Sequence, residues 1–245
     1  NSFQAFCRSF FITRGREQRG PTIGSWNSLF QKRSREEDIV HVAVFGLGYV
    51  GCVSAACFAH QGHHVVGVDV NRLKVDMINA GHSPIIEQRV GQMMSAGVRD
   101  GRLRATTSHE EAMQAADLSL ICVGTPSCQN GDLDLQYVKN VCRQIGRALA
   151  EKAAYHVVAV RSTVLPGTIE SCVVPLLEAG SGRRVGADFG LCSNPEFLRE
   201  GSAVHDFDHP PFTLIGQWDE RCGERVAELY QAVEAPIIRT DLRSA

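Results

Sequence analysis

Apolar runs rich in β-branched residues alternate with helical segments along the chain from residue 39 onward. Strands that are buried on both faces of a parallel sheet read as such continuous runs, and helices connect one parallel strand to the next. The pattern therefore predicts an α/β fold, with a Rossmann-like, doubly wound and mostly parallel sheet over residues 39–245. The predicted strands are IVHVAVFG (39–46), HHVVGVD (63–69), LSLICVG (118–124), YHVVAVRS (155–162), DFGLCS (188–193) and PFTLIG (211–216).

The helical segments between these runs carry recognisable end signals. Gly62 and Gly81 each follow a helical pattern, and glycine readily takes the left-handed conformation that ends a helix. Ser108 and Glu111 have the spacing of a capping box, which predicts a short helix after Ser108. The other predicted helices span residues 49–61, 71–80, 135–151 and 220–233.

Residues 1–38 differ from the rest of the chain in composition. Seven basic residues and one acidic residue, Glu17, occur before residue 36, without a clear hydrophobic period. We predict a basic, disordered leader. An organelle transit peptide is the alternative, because such peptides are also rich in Arg and Ser and poor in acidic residues.

The overall composition excludes several classes of partner. The formal net charge is −2 over 245 residues, which gives no electrostatic reason to expect nucleic acid or a membrane surface as a partner. No stretch approaches the roughly 18 apolar residues of a membrane helix.

The nine cysteines predict free thiols rather than a disulfide framework. Their number is odd, no C-x-x-C occurs, and several lie within apolar runs, as Cys122 does. Buried free thiols are typical of a reducing compartment, so we expect a cytoplasmic protein. No Cys/His spacing suits zinc, and we expect no metal site.

Gly46-Leu47-Gly48-Tyr49-Val50-Gly51 forms a G-x-G-x-x-G sequence between the first predicted strand and helix. In this pattern Gly46 permits a tight turn, Gly48 lets a pyrophosphate approach the backbone and Gly51 allows close packing. Asp69 ends the second predicted strand, where an acidic side chain binds the ribose hydroxyls of a dinucleotide. Its carboxylate would repel a 2′-phosphate, which predicts NAD, although Arg72 nearby leaves NADP open.

Three further segments follow predicted strands and so lie at the ligand-binding edge of the sheet. VGTP places Thr125 there, and RSTVLPGT places Ser162 and Thr163, with Thr168 as a helix cap. NPEFLREG reads as a helix capped by Asn194, with Glu196 and Glu200 one turn apart, an arrangement that suits acid–base chemistry. Spacing alone leaves two alternatives. Thr125 would only cap a turn, and Glu196 and Glu200 would only form a solvated acidic face of a helix.

Together, FGLGYVG, GVD with Lys74, VGTP, RSTVLPGT and NPEFLREG closely resemble the UDP-glucose/GDP-mannose dehydrogenase family, in the order in which that family has them. Three longer segments are more similar to the members that oxidise GDP-mannose than to those that oxidise UDP-glucose. These segments are GTPSCQNGDLDLQYVKNVCRQIG (124–146), DFDHPPFTLIG (206–216) and APIIRTDLRSA (235–245).

The resemblance implies a four-electron oxidation of a sugar C6 alcohol to a carboxylate, with two NAD+ and a cysteine that holds the aldehyde as a thiohemiacetal. The substrate would be a nucleotide sugar, GDP-mannose, and the full-length protein a homodimer or larger assembly. Glu196 would be the acid–base residue and Glu200 a substrate contact, and Thr163 would also help to position the catalytic water. The implied NAD contacts are Tyr49, Val50, Asp69, Lys74, Thr125 and Thr163.

The chain also departs from the family. No cysteine here lies in the FGGSCLPKD-like context of the family's nucleophile, and the family's catalytic Lys and Asn follow the TDLRSA segment. We expect the family's central helix and C-terminal sugar-nucleotide domain to lie outside these 245 residues. We therefore expect an N-terminal portion that binds NAD and does not turn over alone. A UDP-glucose 6-dehydrogenase and a non-catalytic NAD-binding module are the alternative functions.

Overall fold

Eight strands form one sheet in a computed structural model that describes residues 39–129 and 131–245. The strand order across the sheet is β3-β2-β1-β4-β5-β6-β7-β8. The leader predicted for residues 1–38 lies outside the described residues. The strands are β1 His41–Phe45, β2 His64–Val68, β3 Leu103–Thr106, β4 Leu118–Ile121, β5 Val157–Val160, β6 Gly190–Ser193, β7 Thr213–Gln217 and β8 Ile237–Asp241.

Helices cover both faces of this sheet, which confirms the predicted doubly wound α/β architecture. One face packs on α1, α2, α3, α7 and α8, and the other packs on α4, α5 and α6. No helix within residues 39–129 and 131–245 is both long and apolar enough to cross a membrane. The helices are α1 Tyr49–Gln61, α2 Arg72–Asn79, α3 Val90–Arg99, α4 His109–Ala115, α5 Gln136–Glu151, α6 Val174–Ser181, α7 Ala203–Asp208 and α8 Glu220–Ala227, with a π-helical turn Ile169–Val173 before α6 and a 3-10 turn Glu228–Tyr230 after α8.

Strands β1 to β6 are mutually parallel, whereas β7 pairs with β6 in the antiparallel direction and β8 follows β7 in parallel. The antiparallel register joins Cys192 to Gln217 and Ser193 to Gly216. As a result, the start of β7 lies beside the chain that leaves the carboxyl end of β6.

Four elements, β3, β8, α3 and α7, were not predicted, and one predicted helix is too long. β3, β8 and α3 lack a continuous apolar run, and Ile237 and Ile238 of β8 are exposed at the edge of the sheet. The predicted helix over 220–233 ends at Ala227 and continues only as a 3-10 turn to Tyr230. Only one of the two hydrogen bonds of the predicted capping box forms. The Ser108 hydroxyl accepts from the Glu111 amide, but the Glu111 carboxylate accepts from Arg104 and Thr106 instead of from the Ser108 amide.

The order of the strands places a crevice beside β1. Strand β1 has β2 on one side and β4 on the other, so the connections leave its carboxyl end toward opposite halves of the sheet. Ligands of open α/β sheets bind at such a switch point. The glycine loop lies between β1 and α1, at this position.

Candidate functional site

The glycine loop has a backbone that only glycine fits at two positions. Gly46 has φ of +96°, and a Cβ there would lie 2.8 Å from Val123 Cγ1. A Cβ on Gly51 would overlap the carbonyl oxygen of Gly46. Gly48 differs from both, because a Cβ there would meet no protein atom within 4 Å. Packing therefore explains Gly46 and Gly51, and open space lies in front of Gly48.

The first turn of α1 is left free for an anion. Gly48 is its N-cap residue, no side chain caps the helix, and no acidic residue occurs in its first turn. The first amide groups of a helix carry unpaired N–H donors and the positive end of the helix dipole. The backbone at Tyr49 and Val50 can therefore receive a phosphate.

Asp69 and Lys74 hold the glycine loop from the end of β2. Asp69 Oδ2 accepts from the Leu47 amide at 2.8 Å, and Oδ1 accepts from the Asn71 amide at 2.9 Å. Lys74 Nζ donates to the Leu47 carbonyl at 3.1 Å and lies 3.7 Å from Asp69 Oδ2. Asp69 and Lys74, two of the predicted cofactor contacts, are thus fixed against the loop that is predicted to bind the phosphates.

A cleft of about 620 Å³ lies between this loop and α5. Its volume falls within the range of small-molecule sites, which is roughly 300–1,000 Å³. Asp69 and Gly48 line one side, and the polar surface of α5 lines the other. The lining residues contributed by α5 are Tyr137, Asn140, Val141, Arg143, Gln144 and Arg147.

Thr125 and Thr163 come together beside the glycine loop. The Thr125 hydroxyl donates to the carbonyl of Thr163 at 2.8 Å, so the turn after β4 is tied to the turn after β5. The Ser162 hydroxyl donates to the Val123 carbonyl at 2.6 Å and joins the same two turns. Thr168 precedes the π-helical turn, but its side chain makes no capping hydrogen bond, contrary to the prediction.

Thr163 and Glu196 line a common cavity of about 210 Å³ at the carboxyl ends of β5 and β6. Leu165, Leu242 and Ala245 complete much of its wall. The turn that carries Thr163 is connected through Thr125 to the turn after β4, which lines the cleft beside the glycine loop. A hydroxyl and a carboxylate that share one cavity can together orient a water molecule or a substrate hydroxyl.

The predicted helix over NPEFLREG is wrong. Residues 194–199 have no regular structure, and helix α7 begins only at Ala203. Glu196 accepts a hydrogen bond from the Leu198 amide, so its carboxylate closes a local turn. Glu200 is exposed on a separate turn. The two carboxylates therefore do not share one face of a helix, although the same segment carries both.

Asn194 cannot cap a helix because its side chain is engaged in a buried network. Its Oδ1 accepts from Arg161 Nη1 at 3.0 Å and from the Tyr230 hydroxyl at 2.5 Å, and its Nδ2 donates to the Leu214 carbonyl at 3.1 Å. Arg161 also donates to Ser54 of α1 at 3.1 Å. The sequence pattern indicates no role for Arg161, because a buried arginine gives no periodic signal.

Tyr49 makes a second set of contacts that the sequence did not indicate. Its hydroxyl donates to the Glu87 carboxylate, and the amide of Gly201 donates to the same carboxylate at 2.7 Å. Glu87 lies in the connection between α2 and α3, far from both partners in sequence. The contacts of Glu87 with Tyr49 and Gly201 could not be predicted without the fold.

The described cysteines are all free thiols, as predicted. Cys122 lines the cleft between the glycine loop and α5, but burial raises its pKa to about 12. Burial likewise raises the pKa of Cys52, on the first helix, to about 12. A thiol must ionise to act as a nucleophile. Neither cysteine near the glycine loop is therefore suited to covalent catalysis.

Comparisons with known proteins match most of the chain to one family. Residues 40–234 match the model of the UDP-glucose/GDP-mannose dehydrogenase family, NAD binding domain. The GDP-mannose 6-dehydrogenase of Azotobacter vinelandii is 52% identical over 206 residues, which is 84% of this chain and 47% of that protein. The chain thus spans about half the length of the curated relatives it matches.

Two solved structures show the same architecture over nearly the same region. A ternary complex of GDP-mannose dehydrogenase from Pseudomonas aeruginosa superimposes with a TM-score of 0.82 at 50% identity, over 83% of this chain and 47% of that one. A UDP-glucose dehydrogenase from Pyrobaculum islandicum gives a TM-score of 0.80 at 42% identity, over 84% and 47%. The Rossmann-like fold predicted from the sequence is therefore confirmed.

Proposed function

Because the chain belongs to the UDP-glucose/GDP-mannose dehydrogenase family, in which it matches the NAD-binding domain, we propose that the protein oxidises GDP-mannose to GDP-mannuronate. The reaction removes four electrons from the C6 alcohol and reduces two NAD+ to two NADH, and one water supplies the second carboxylate oxygen. This chain contributes the cofactor half, and a cysteine outside it forms the covalent aldehyde adduct and the thioester that water hydrolyses.

The observation that carries the proposal is the cleft at the switch point of the sheet. It combines an uncapped first turn of α1, open space in front of Gly48 and the fixed carboxylate of Asp69. These are the three features that a pyrophosphate and its adjoining ribose require. When NAD+ is bound there, it supplies the hydride acceptor for both oxidation steps.

The chain's own residues then take distinct roles. The amides at Tyr49 and Val50 receive the pyrophosphate, and Asp69 accepts hydrogen bonds from the ribose hydroxyls, with Lys74 beside it. Thr125 and Thr163 contact the nicotinamide half, since their turns follow β4 and β5 at the same edge. Glu196 acts as the general acid and base near C6. The cavity that it lines together with Thr163 holds the hydrolytic water.

Glu200 is proposed as a contact to the nucleotide sugar. It is exposed and follows Glu196 on the same segment, so a substrate that reaches Glu196 can also meet Glu200. GDP-mannose is preferred to UDP-glucose as the substrate because the identity is 50% to the GDP-mannose enzyme of known structure and 42% to the UDP-glucose enzyme. Oxidation of UDP-glucose remains the second candidate.

Calorimetric titration with NAD+ and with NADP+ tests the cofactor half in this chain alone. We expect NAD+ to bind more tightly than NADP+, because the Asp69 carboxylate opposes a 2′-phosphate. Asp69→Asn keeps the size of the side chain and should weaken NAD+ binding at least tenfold. Asp100→Asn, which changes an exposed acid that pairs with Arg99, is the matched control. Unchanged binding in Asp69→Asn would contradict the assignment.

A chimera tests the oxidation itself. Residues 39–245 would be fused to the C-terminal half of the Azotobacter vinelandii enzyme, and NADH formation would be followed with GDP-mannose and with UDP-glucose. We expect two NADH per GDP-mannose, and a loss in kcat of roughly a hundredfold in Glu196→Gln, as is typical of a lost acid–base group. Glu151→Gln, at the end of α5, is the control. A folded, NAD-binding chimera without turnover would overturn the proposal, and faster turnover of UDP-glucose would favour the alternative.

A further inference from the structure

Tyr49, Glu87 and Gly201 form a hydrogen-bonded group, which we call the Tyr49 cluster, at the junction of three segments. Tyr49 begins α1 directly after the glycine loop, and Gly201 directly follows Glu200. Glu87 Oε2 accepts from both the Tyr49 hydroxyl and the Gly201 amide, and the Gly201 amide also lies 3.3 Å from the tyrosine oxygen. One carboxylate oxygen thus joins the cofactor helix to the segment of the proposed substrate contact.

The protonation of the cluster makes these contacts strong at neutral pH. Burial, together with the hydrogen bond to Glu87, raises the pKa of Tyr49 to about 12. The hydrogen bond from Tyr49 lowers the pKa of Glu87. The phenol therefore stays protonated and donates to an ionised carboxylate. Hydrogen bonds to an ionised acceptor are roughly twice as strong as neutral ones.

A second contact holds the same connection against α7. Arg89 Nη1 lies 3.3 Å from Asp208 Oδ2 at the end of that helix. Arg89 also has φ of +67°, and it is the one described non-glycine residue with a positive φ. Such a conformation in a residue with a Cβ persists when its surroundings impose it. The connection that carries Glu87 is therefore held at two points on the segment from Gly201 to Asp208.

The segment 195–202 depends on these contacts because it lacks regular structure over most of its length. Asn194 fixes its start through the buried network with Arg161 and Tyr230. Beyond Glu196, the Gly201 amide is held by Glu87, and Arg199 pairs with Asp206 of α7. The position of Glu200 therefore rests on Glu87 on its one side and on the Arg199–Asp206 pair on the other.

We propose that Glu87 is a positioning residue that couples NAD binding on α1 to the placement of Glu200. The inference rests on the proposed function, in which the pyrophosphate binds at the Tyr49 amide and Glu200 contacts the sugar nucleotide. Bound pyrophosphate fixes the first turn of α1, including the Tyr49 side chain. The tyrosine hydroxyl transmits that constraint through Glu87 to Gly201, so the cofactor orders the substrate segment before the sugar nucleotide binds.

Hydrogen exchange of the Gly201 amide, measured with and without NAD+ in this chain, tests the coupling. We expect NAD+ to slow this exchange at least fivefold in the wild type. Tyr49→Phe removes the hydroxyl, so at an NAD+ concentration that saturates the variant it should lose the slowing. Glu87→Ala should lose it as well, Glu87→Gln should restore part of it, and Glu151→Gln should behave as the wild type.

The NAD-dependent difference separates positioning from a general structural role. A merely structural Glu87 would change the exchange rate of Gly201 equally with and without NAD+. Calorimetry on the same samples separates the two claims. If the wild type binds NAD+ without slower exchange at Gly201, the coupling is overturned and the proposed function stays intact. The same conclusion follows if the slowing persists in Tyr49→Phe and Glu87→Ala. A wild-type chain that binds no NAD+ overturns both.

Discussion

Arg161 at the end of β5 and Asn194 at the end of β6 are joined by a hydrogen bond of 3.0 Å from Nη1 to Oδ1. Each residue immediately precedes a segment of the candidate site, since Arg161 leads to Thr163 and Asn194 leads to Glu196. Arg161 is 5% exposed, and its guanidinium bonds to the neutral side chains of Ser54, Asn194 and Tyr230. Within residues 39–129 and 131–245, no carboxylate lies within ion-pairing distance of it. The pair thus fixes the spacing between the two turns by hydrogen-bond geometry.

Arg161→Lys should destabilise the chain although it keeps the positive charge. An ammonium group cannot reproduce the planar fork that bonds Ser54, Asn194 and Tyr230 together. Leaving buried partners unsatisfied costs about 1–3 kcal/mol per group. We expect the free energy of unfolding in urea to fall by at least about 2 kcal/mol. Arg143→Lys on the exposed face of α5 is the control, and equal stability of the two variants would contradict the role of the fork.

His156 should make the protein sensitive to mild acid. Its ring is fully buried between the Ser119 hydroxyl, at 2.8 Å, and the Ala116 carbonyl, at 3.2 Å. Burial, with a smaller effect from Lys152, lowers its pKa from 6.5 to about 3. Between these two values the unfolded chain takes up a proton that the folded chain excludes. Stability is therefore complete above pH 6.5 and falls by up to about 1.4 kcal/mol per pH unit below it.

His156→Gln isolates this contribution from the carboxylates that also titrate in acid. The variant should be less stable at pH 7.5, because the imidazole fits its two partners, but its stability should decline less between pH 6.5 and pH 4. Urea unfolding at a series of pH values gives the difference between the two proteins. Parallel curves for wild type and variant would show that His156 is not the acid-sensitive group.

The sequence predicted those parts of the fold and site that depend on local patterns. The first helix has the predicted bounds, Tyr49–Gln61, because a glycine loop begins it and Gly62 ends it. The predicted helix over NPEFLREG is wrong because Asn194, its expected cap, has distant partners. Asn194 forms hydrogen bonds with Arg161 and Tyr230, which capping rules do not predict. Glu87 was missed for the same reason, since 114 residues separate it from Gly201.

Cys128 should be the most reactive thiol among the described cysteines. It is exposed in the loop before α5, whereas burial raises the pKa of Cys52, Cys57 and Cys122 to about 12. Thiolates react with aromatic disulfides, so a protonated buried thiol is slow. With a chromogenic disulfide reagent, Cys128→Ser should remove one equivalent from the fast phase of the native protein. A fast phase that is the same size in both would show that Cys128 is not the most reactive thiol.

Gly48, the N-cap of α1, and Gly51, in the first turn of that helix, lie three residues apart, and alanine should affect them in opposite ways. Gly51→Ala places a methyl group against the Gly46 carbonyl, which the backbone can avoid only by moving. Overpacking of this kind should cost on the order of 3 kcal/mol of unfolding free energy. Gly48 has an ordinary φ of −77° and open space before it, so Gly48→Ala should unfold within about 0.5 kcal/mol of the wild type.

The same Gly48→Ala methyl group would, however, occupy the space through which a pyrophosphate reaches the first turn of α1. NAD+ affinity should therefore drop at least tenfold, about 1.4 kcal/mol, in a protein whose stability is unchanged. Thermal unfolding and calorimetric titration of the two variants measure both effects. If Gly48→Ala bound NAD+ as the wild type does, the space before Gly48 would not be the phosphate site, and the cofactor would have to bind elsewhere in the cleft.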